Sequence, residues 1–315
     1  MNRRHFLRAV PAIAVAGSCA RGELPTEMYG AARFTTQIGL NIGAVDEALR
    51  WMPAAPTPHV RLACYWANML DPRPVAAFDG RTVAEEFHRQ AELAVAHGLE
   101  LVVCVHQTPT SDPYGTGYPA FVADLAARLP ESVVLQLGNE LNDPVGGWTP
   151  RLRGRTQLEW GVSYAALYQA TVDALRARRL GHRLVAGGLA GDPRDFLRGM
   201  RATNVEPGIV AVHCYGWVAR AAVDRARAVR SVMPRALVWL TELGSEAGCA
   251  SDARQVADLK ETVEALDRLP GLVDRAYWYR LQGDPREKGG GFGLISSDGR
   301  PRPAWHTFTT LRRAR

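Results

Sequence analysis

The 315-residue chain is 47% hydrophobic, enough to build the core of one large domain or two ordinary ones, and this excludes a mainly disordered polypeptide. Charged residues make up 22% with both signs interspersed, and no stretch reaches eighteen uninterrupted apolar residues, which excludes a polytopic membrane protein. Of the formal +6 charge, four positive charges (Arg3, Arg4, Arg8, Arg21) lie in residues 1–22, which hold no acid. The remainder carries no basic patch with interleaved aromatics, so no nucleic-acid partner is expected.

The chain opens with Asn2-Arg3-Arg4-His5-Phe6-Leu7-Arg8, a short apolar run from Ala9 to Ala16, and the small residues Ala16-Gly17-Ser18-Cys19-Ala20. That is the layout of an export signal, assigned here to residues 1–24, with a basic disordered tail as its plainer rival. The paired arginines before Phe6-Leu7 resemble a twin-arginine signal and imply a periplasmic or secreted protein. Cys19 also fits a lipoprotein processing site, so a lipid anchor there is the one membrane attachment to expect. Beyond the signal lie Cys64, Cys104, Cys214 and Cys249. Their spacing matches no zinc motif, and three sit in apolar runs, which favours buried thiols over a Cys214 to Cys249 bridge.

From Phe34 onward, short β-rich runs alternate with helical periodicity. The predicted strands are residues 36–42, 58–64, 100–106, 133–140, 183–189, 208–215, 236–242 and 275–281. Between them Val83, Phe87, Ala91, Ala94 and Val95 recur at helical spacing, as do Trp160, Tyr164, Leu167, Thr171 and Leu175, and later Val256, Leu259, Val263 and Leu266. Trp305, Phe308 and Leu311 supply a terminal helix. Gly98 and Gly181 are expected to close helices, while Asp192-Pro193 and Ser251-Asp252 open them. Eight strands alternating with helices predict a single α/β domain, a (β/α)8 TIM barrel over residues 33–315. An open doubly wound sheet is the alternative, but no Gly-x-Gly-x-x-Gly follows the first strand.

In such a barrel the chemistry lies at the C-terminal ends of the strands. Strand two holds Arg61 and ends in Tyr65-Trp66; strand three ends in His106-Gln107; strand four ends in Gly138-Asn139-Glu140. Strand six holds His213 and Tyr215, strand seven ends in Thr241-Glu242, and strand eight holds Trp278. Period two puts His213 and Tyr215 on one face, and sets Glu242 in phase with Val238 and Leu240, which are expected to point into the barrel. Carboxylates that end apolar strands are costly to bury without a purpose. A pair of them on opposite sides of the ring suits glycoside hydrolysis, where one carboxyl protonates the leaving oxygen and the other attacks the sugar or activates water.

This set, Arg61, Asn139-Glu140, His213, Tyr215, Glu242 and Trp278, with the tail Gly293-Leu294-Ile295 and Asp298 to Trp305, resembles clan A of the glycoside hydrolases, near families 5 and 39. The resemblance implies that Glu140 is the acid/base and Glu242 the nucleophile of a retaining enzyme acting on a β-linked oligo- or polysaccharide. It further implies that Asn139 meets the sugar 2-hydroxyl, that Arg61 and Tyr215 keep Glu242 ionised, and that His106 and His213 meet sugar hydroxyls or Glu140. Trp278 would be the stacking floor of the sugar site. Trp66, Trp148, Trp217 and Tyr279 are candidates for further subsites. No cofactor or metal is required, and a monomer is expected. The alternatives are a barrel that binds glycan without cleaving it, a metal-dependent barrel hydrolase, and one using Gly289-Gly290-Gly291 as a phosphate nest.

Overall fold

The computed structural model describes residues 36–51, 58–106, 117–143, 154–246, 251–284 and 291–313. The residues expected to form an export signal, among them Cys19, and also Trp148, Cys249, Gly289 and Gly290 lie outside them. The described barrel belongs to a compact unit spanning Phe34–Arg315. Its strands are β1 Gln37–Ile42, β2 His59–Tyr65, β3 Glu100–His106, β4 Val134–Leu137, β5 Leu184–Leu189, β6 Ile209–Tyr215, β7 Leu237–Gly244 and β8 Arg275–Trp278. Each pairs in parallel with its neighbour in sequence, and β8 pairs with β1 through Gln37 and Arg275, which closes the ring. The expected TIM barrel is what the chain forms.

The helices are α1 Val45–Trp51, α2 Trp66–Met69, α3 Val83–Ala96, α4 Gly117–Ala126, α5 Gln157–Ala177, α6 Arg194–Ala202, α7 Val218–Val232, α8 Asp252–Asp267 and α9 Pro303–Arg313. Capping boxes at Thr82 with Glu85 and Thr156 with Glu159 satisfy the first amides of α3 and α5. Ser251 caps α8 by accepting from the Arg254 amide at 3.3 Å. At the end of α5 the left-handed residue is Arg179 (φ 57°), so the helix stops before Gly181. No helix among the described residues is long and apolar enough to cross a membrane.

Alternation along the strands creates two apolar layers. Val102, Val134, Val185, Ile209, Ala211, Trp239 and Tyr277 fill the barrel interior. Leu135, Leu137, Val210, Val212, Val238, Leu240 and Trp278 face the helices. Here one sequence expectation is corrected: Val238 and Leu240 point outward. Their phase does not carry through to Glu242, because β6 and β7 lose step: Val212 pairs with Leu240, but His213 pairs with Glu242. The extra residue, Thr241, is a bulge that turns Glu242 back to the inner face. Cys64, Cys104 and Cys214 are buried free thiols.

The N-terminal end of the barrel is plugged by charge. Glu100 lies 2.6 Å from His59 Nδ1 and 2.7 Å from Arg275 Nη1, and the Arg275 guanidinium lies 4.7 Å from the Trp239 ring centre. Gly39 leaves room for this plug, since a Cβ there would meet the His59 carbonyl at 2.5 Å. The hydrogen bond from His59 outweighs burial and, with Arg275, lowers the Glu100 pKa from 4.5 to about 2. A folded-state pKa below the unfolded one adds stability above the ordinary carboxylate range and loses it as pH falls toward about 2. Glu100→Gln is therefore expected to be less stable than wild type at pH 7, with the gap closing on acidification, as read by urea unfolding across pH.

Candidate active site

The C-terminal mouth gathers Arg61 from β2, His106 from β3, Asn139 and Glu140 from the turn after β4, His213 and Tyr215 from β6 and Glu242 from β7. The ligand atoms of Glu140, His213 and Glu242 all lie within 4.8 Å of one another. The two carboxylates predicted from opposite sides of the ring thus meet in one hole.

Their surroundings differ. Glu242 is almost buried, with its side chain 11% exposed, against 26% for Glu140. Arg61 Nη1 donates to Glu242 Oε1 at 2.9 Å, and the Tyr215 hydroxyl donates to Oε2. Burial would raise the Glu242 pKa. His213, Arg61 and the Tyr215 hydroxyl outweigh it and hold the group below the ordinary 4.5. The ionised form of Glu242 is thus the favoured one, in a largely buried position.

Glu140 is held by its backbone. Gly138 (φ 87°) turns the chain out of β4, and Glu140 itself adopts φ 47°, a left-handed conformation unusual for a side chain of this size. The Glu140 amide donates to the Gly188 carbonyl of β5 at 2.7 Å. Backbone in such a region persists where the surroundings over-determine it, which is common at functional sites. His213 Nδ1 lies 2.9 Å from Glu140 Oε1 and 3.5 Å from Glu242 Oε2, so one ring nitrogen stands between the two carboxylates. Arg61 Nη2 donates to Asn139 Oδ1 at 2.9 Å and fixes the orientation of that amide.

Burial first, then the Arg61 charge, lowers the His106 pKa from 6.5 to about 3, which favours the neutral ring. Its ring lies 4.4 Å from that of Tyr65, tilted by 35°. Tyr65 is 51% exposed at the rim.

The expectation for Trp278 is overturned. It is 1% exposed and packs in the outer layer between strand and helices, so it cannot floor a sugar site. Arg275 and Tyr277 face inward along β8, and alternation carries the inner face on to Tyr279, one residue past Trp278. Tyr279 packs edge-on against Tyr215 (6.0 Å) and Phe292 (5.7 Å), which places it at the mouth beside Glu242. Trp66 is half-buried and stacks on Phe121 at 5.5 Å, a packing role. Trp217 is 77% exposed with the Arg254 guanidinium 5.6 Å from its ring centre.

Two site residues escaped the sequence reading: Asn41 on β1 accepts from Arg61 Nη1 at 2.7 Å, and Gln136 on β4 accepts from Nε at 2.9 Å. The signal was present, since both are amides on the inner face of largely apolar strands. Glu140, His213 and Glu242 are also the one group with metal-ligating geometry among the described residues. A cation there would sit against the fixed charge of Arg61, which already occupies Glu242 Oε1.

No family model matches the sequence, and no curated protein matches it. Solved structures do. The chain is similar to a GH39 β-xylosidase from Caulobacter crescentus, with a TM-score of 0.67 and 14% identity over 90% of this chain and 72% of the other. It is also similar to a GH39 enzyme from Xanthomonas axonopodis pv. citri, with a TM-score of 0.66 and 14% identity over 89% and 66% of the two chains. A GH5 broad-specificity endoglucanase from Clostridium acetobutylicum has a TM-score of 0.59 and 13% identity over 88% and 97%. The likeness is one of fold: these glycoside hydrolases share the closed (β/α)8 barrel of this chain.

Two outcomes follow. Glu242 should titrate below 4.5 by side-chain carbon NMR, and Tyr215→Phe should move that titration upward, because a donor to the charged form is lost. Trp278→Ala should cost roughly 3–5 kcal/mol in denaturant unfolding, as for a buried Trp anywhere in a core.

Proposed function

We propose that the protein is a retaining glycoside hydrolase that cleaves a β-glycosidic bond in an oligo- or polysaccharide. The observation that carries this reading is the pair of unlike carboxylates whose oxygens approach within 4.8 Å. An inverting enzyme spaces its carboxyl groups roughly 6.5–9.5 Å apart to admit a water, whereas a retaining one needs roughly 5–5.5 Å.

In the first step the carboxylic acid of Glu140 gives its proton to the glycosidic oxygen while Glu242 attacks the anomeric carbon. The bond to the leaving oxygen breaks, and an ester bond to Glu242 forms. In the second step Glu140, now a carboxylate, takes a proton from water, whose oxygen attacks the same carbon and frees Glu242. Both displacements invert, so the product keeps the starting configuration. The unequal burial suits this division of labour. Glu140 must exchange protons with water and is the more exposed of the two, while Glu242 is shielded and kept charged by Arg61 and Tyr215.

His213 stands where it can bond Glu140 in either protonation state. Asn139, its oxygen tied to Arg61, flanks the place where the 2-hydroxyl of the bound sugar would lie, and His106 offers a neutral ring to another hydroxyl. Tyr279 takes over the stacking role first assigned to Trp278, since a pyranose presents an apolar C–H face to an aromatic ring. Export by a twin-arginine signal, with or without a lipid at Cys19, would deliver the folded enzyme to glycans outside the cytoplasm.

The test is a panel of aryl β-glycosides and β-linked polysaccharides, with the product anomer followed by NMR. Turnover with retention is expected, falling by at least ~10³-fold in Glu242→Gln. An inverted product, or full activity in the variant, would remove the mechanism.

A further inference from the structure

Arg61 can hold Glu242 only if Arg61 is itself held. Asn41 grips the guanidinium at Nη1 from β1, and Gln136 grips it at Nε from β4. The other end of each amide reaches the strand that carries a carboxylate. Asn41 Nδ2 donates at 2.9 Å to the carbonyl of Thr241, the bulge residue immediately before Glu242, and at 3.4 Å to the carbonyl of Tyr277. Gln136 Nε2 donates at 3.0 Å to the carbonyl of Gly138, two residues before Glu140. It also reaches the Gly187 carbonyl at 3.1 Å and Cys104 Sγ at 3.3 Å. Gly187 leads into Gly188, whose carbonyl receives the Glu140 amide. A side chain on Gly188 would collide with Gln136 Nε2 and crowd His213, so the glycine makes room for this contact.

Asn41 is 4% exposed and Gln136 is fully buried. At such places an apolar residue of the same size would fill the core without the cost of burying an amide. We infer that Asn41 and Gln136 are positioning residues: the linked set Asn41, Arg61 and Gln136 fixes the β7 bulge against the turn after β4 and so sets the spacing and charge of the carboxylate pair. Neither amide touches substrate. Each acts through Arg61 and through the two backbone carbonyls its amide nitrogen bonds. The inference rests on the reading of Glu140 and Glu242 as the catalytic pair.

The test uses two near-isosteric variants, Asn41→Asp and Gln136→Glu, and one apolar variant, Gln136→Met. Cys214→Ala, on the outer face of β6, serves as a buried control. In Gln136→Met, kcat should fall roughly 10- to 100-fold with KM within about twofold of wild type, since small misplacements of reacting groups act on the chemical step. In the two acidic variants a new carboxylate shares the Arg61 charge with Glu242. The acidic limb of the kcat/KM profile, and the Glu242 titration seen by NMR, should then both move to higher pH. Cys214→Ala should lower the melting temperature and leave both readouts in place.

A merely structural role would give lower melting temperatures with wild-type kcat, KM and acidic limb, and that result overturns the inference. So does a loss confined to KM. Glu242→Gln separates the two layers. If it is inactive while the amide variants behave as wild type, only the positioning role fails. If it retains wild-type turnover, the glycosidase reading fails and takes this one with it.

Discussion

Everything at the mouth of this barrel depends on keeping a charged carboxylate inside it. Glu242 is 8% exposed, and an ion of that kind would take up a proton and become neutral were it unpaired. Arg61 and the Tyr215 hydroxyl prevent this, each on its own carboxylate oxygen. Removing one member of a buried pair typically costs about 3–5 kcal/mol, because the other is left uncompensated. The arginine in turn has every side of its fork occupied, by Asn41, Gln136, Asn139 and Glu242. A lysine has the charge but not the planar set of donors needed to hold four acceptors at once.

The ring geometry divides labour between its two ends. At the N-terminal end Glu100, His59 and Arg275 close the barrel with an ion cluster that serves stability. At the C-terminal end the two carboxylates converge on His213, and their asymmetry is chemical. One carboxylate is locked in the charged state by strands, and the other hangs on a left-handed turn beside a histidine that also reaches the first. Under the proposed retaining displacement, the first would be the nucleophile and the second the proton carrier.

The fold was legible because short apolar runs, several of them carrying polar residues at or near their C-terminal ends, alternate with helical periodicity, and because the length leaves few other architectures. Arg61, His106, Asn139, Glu140, His213, Tyr215 and Glu242 were legible for the same reason, and the structure gathers them. Three features were not. Thr241 inserts one residue into β7, so counting by twos put Val238 and Leu240 on the wrong side while leaving Glu242 on the right one. On β8 and just past it, two neighbouring aromatics compete for the place that faces the mouth. Their choice rests on the register with β1 and β7, which composition does not encode, and it falls to Tyr279 while Trp278 packs outward. Asn41 and Gln136 are amides in apolar strands, and their meaning appears only once Arg61 is seen between them.

The most direct test of the whole account is to trap the sugar on the enzyme. Incubation with activated 2-deoxy-2-fluoro β-glycosides, which slow breakdown of the intermediate, followed by intact-mass and peptide mapping, reads which oxygen forms the bond. The account predicts a single adduct of one fluorosugar, without the leaving group, on the peptide containing Glu242. An adduct on Glu140 or elsewhere, or turnover of the parent glycoside with inversion and no adduct, would contradict it.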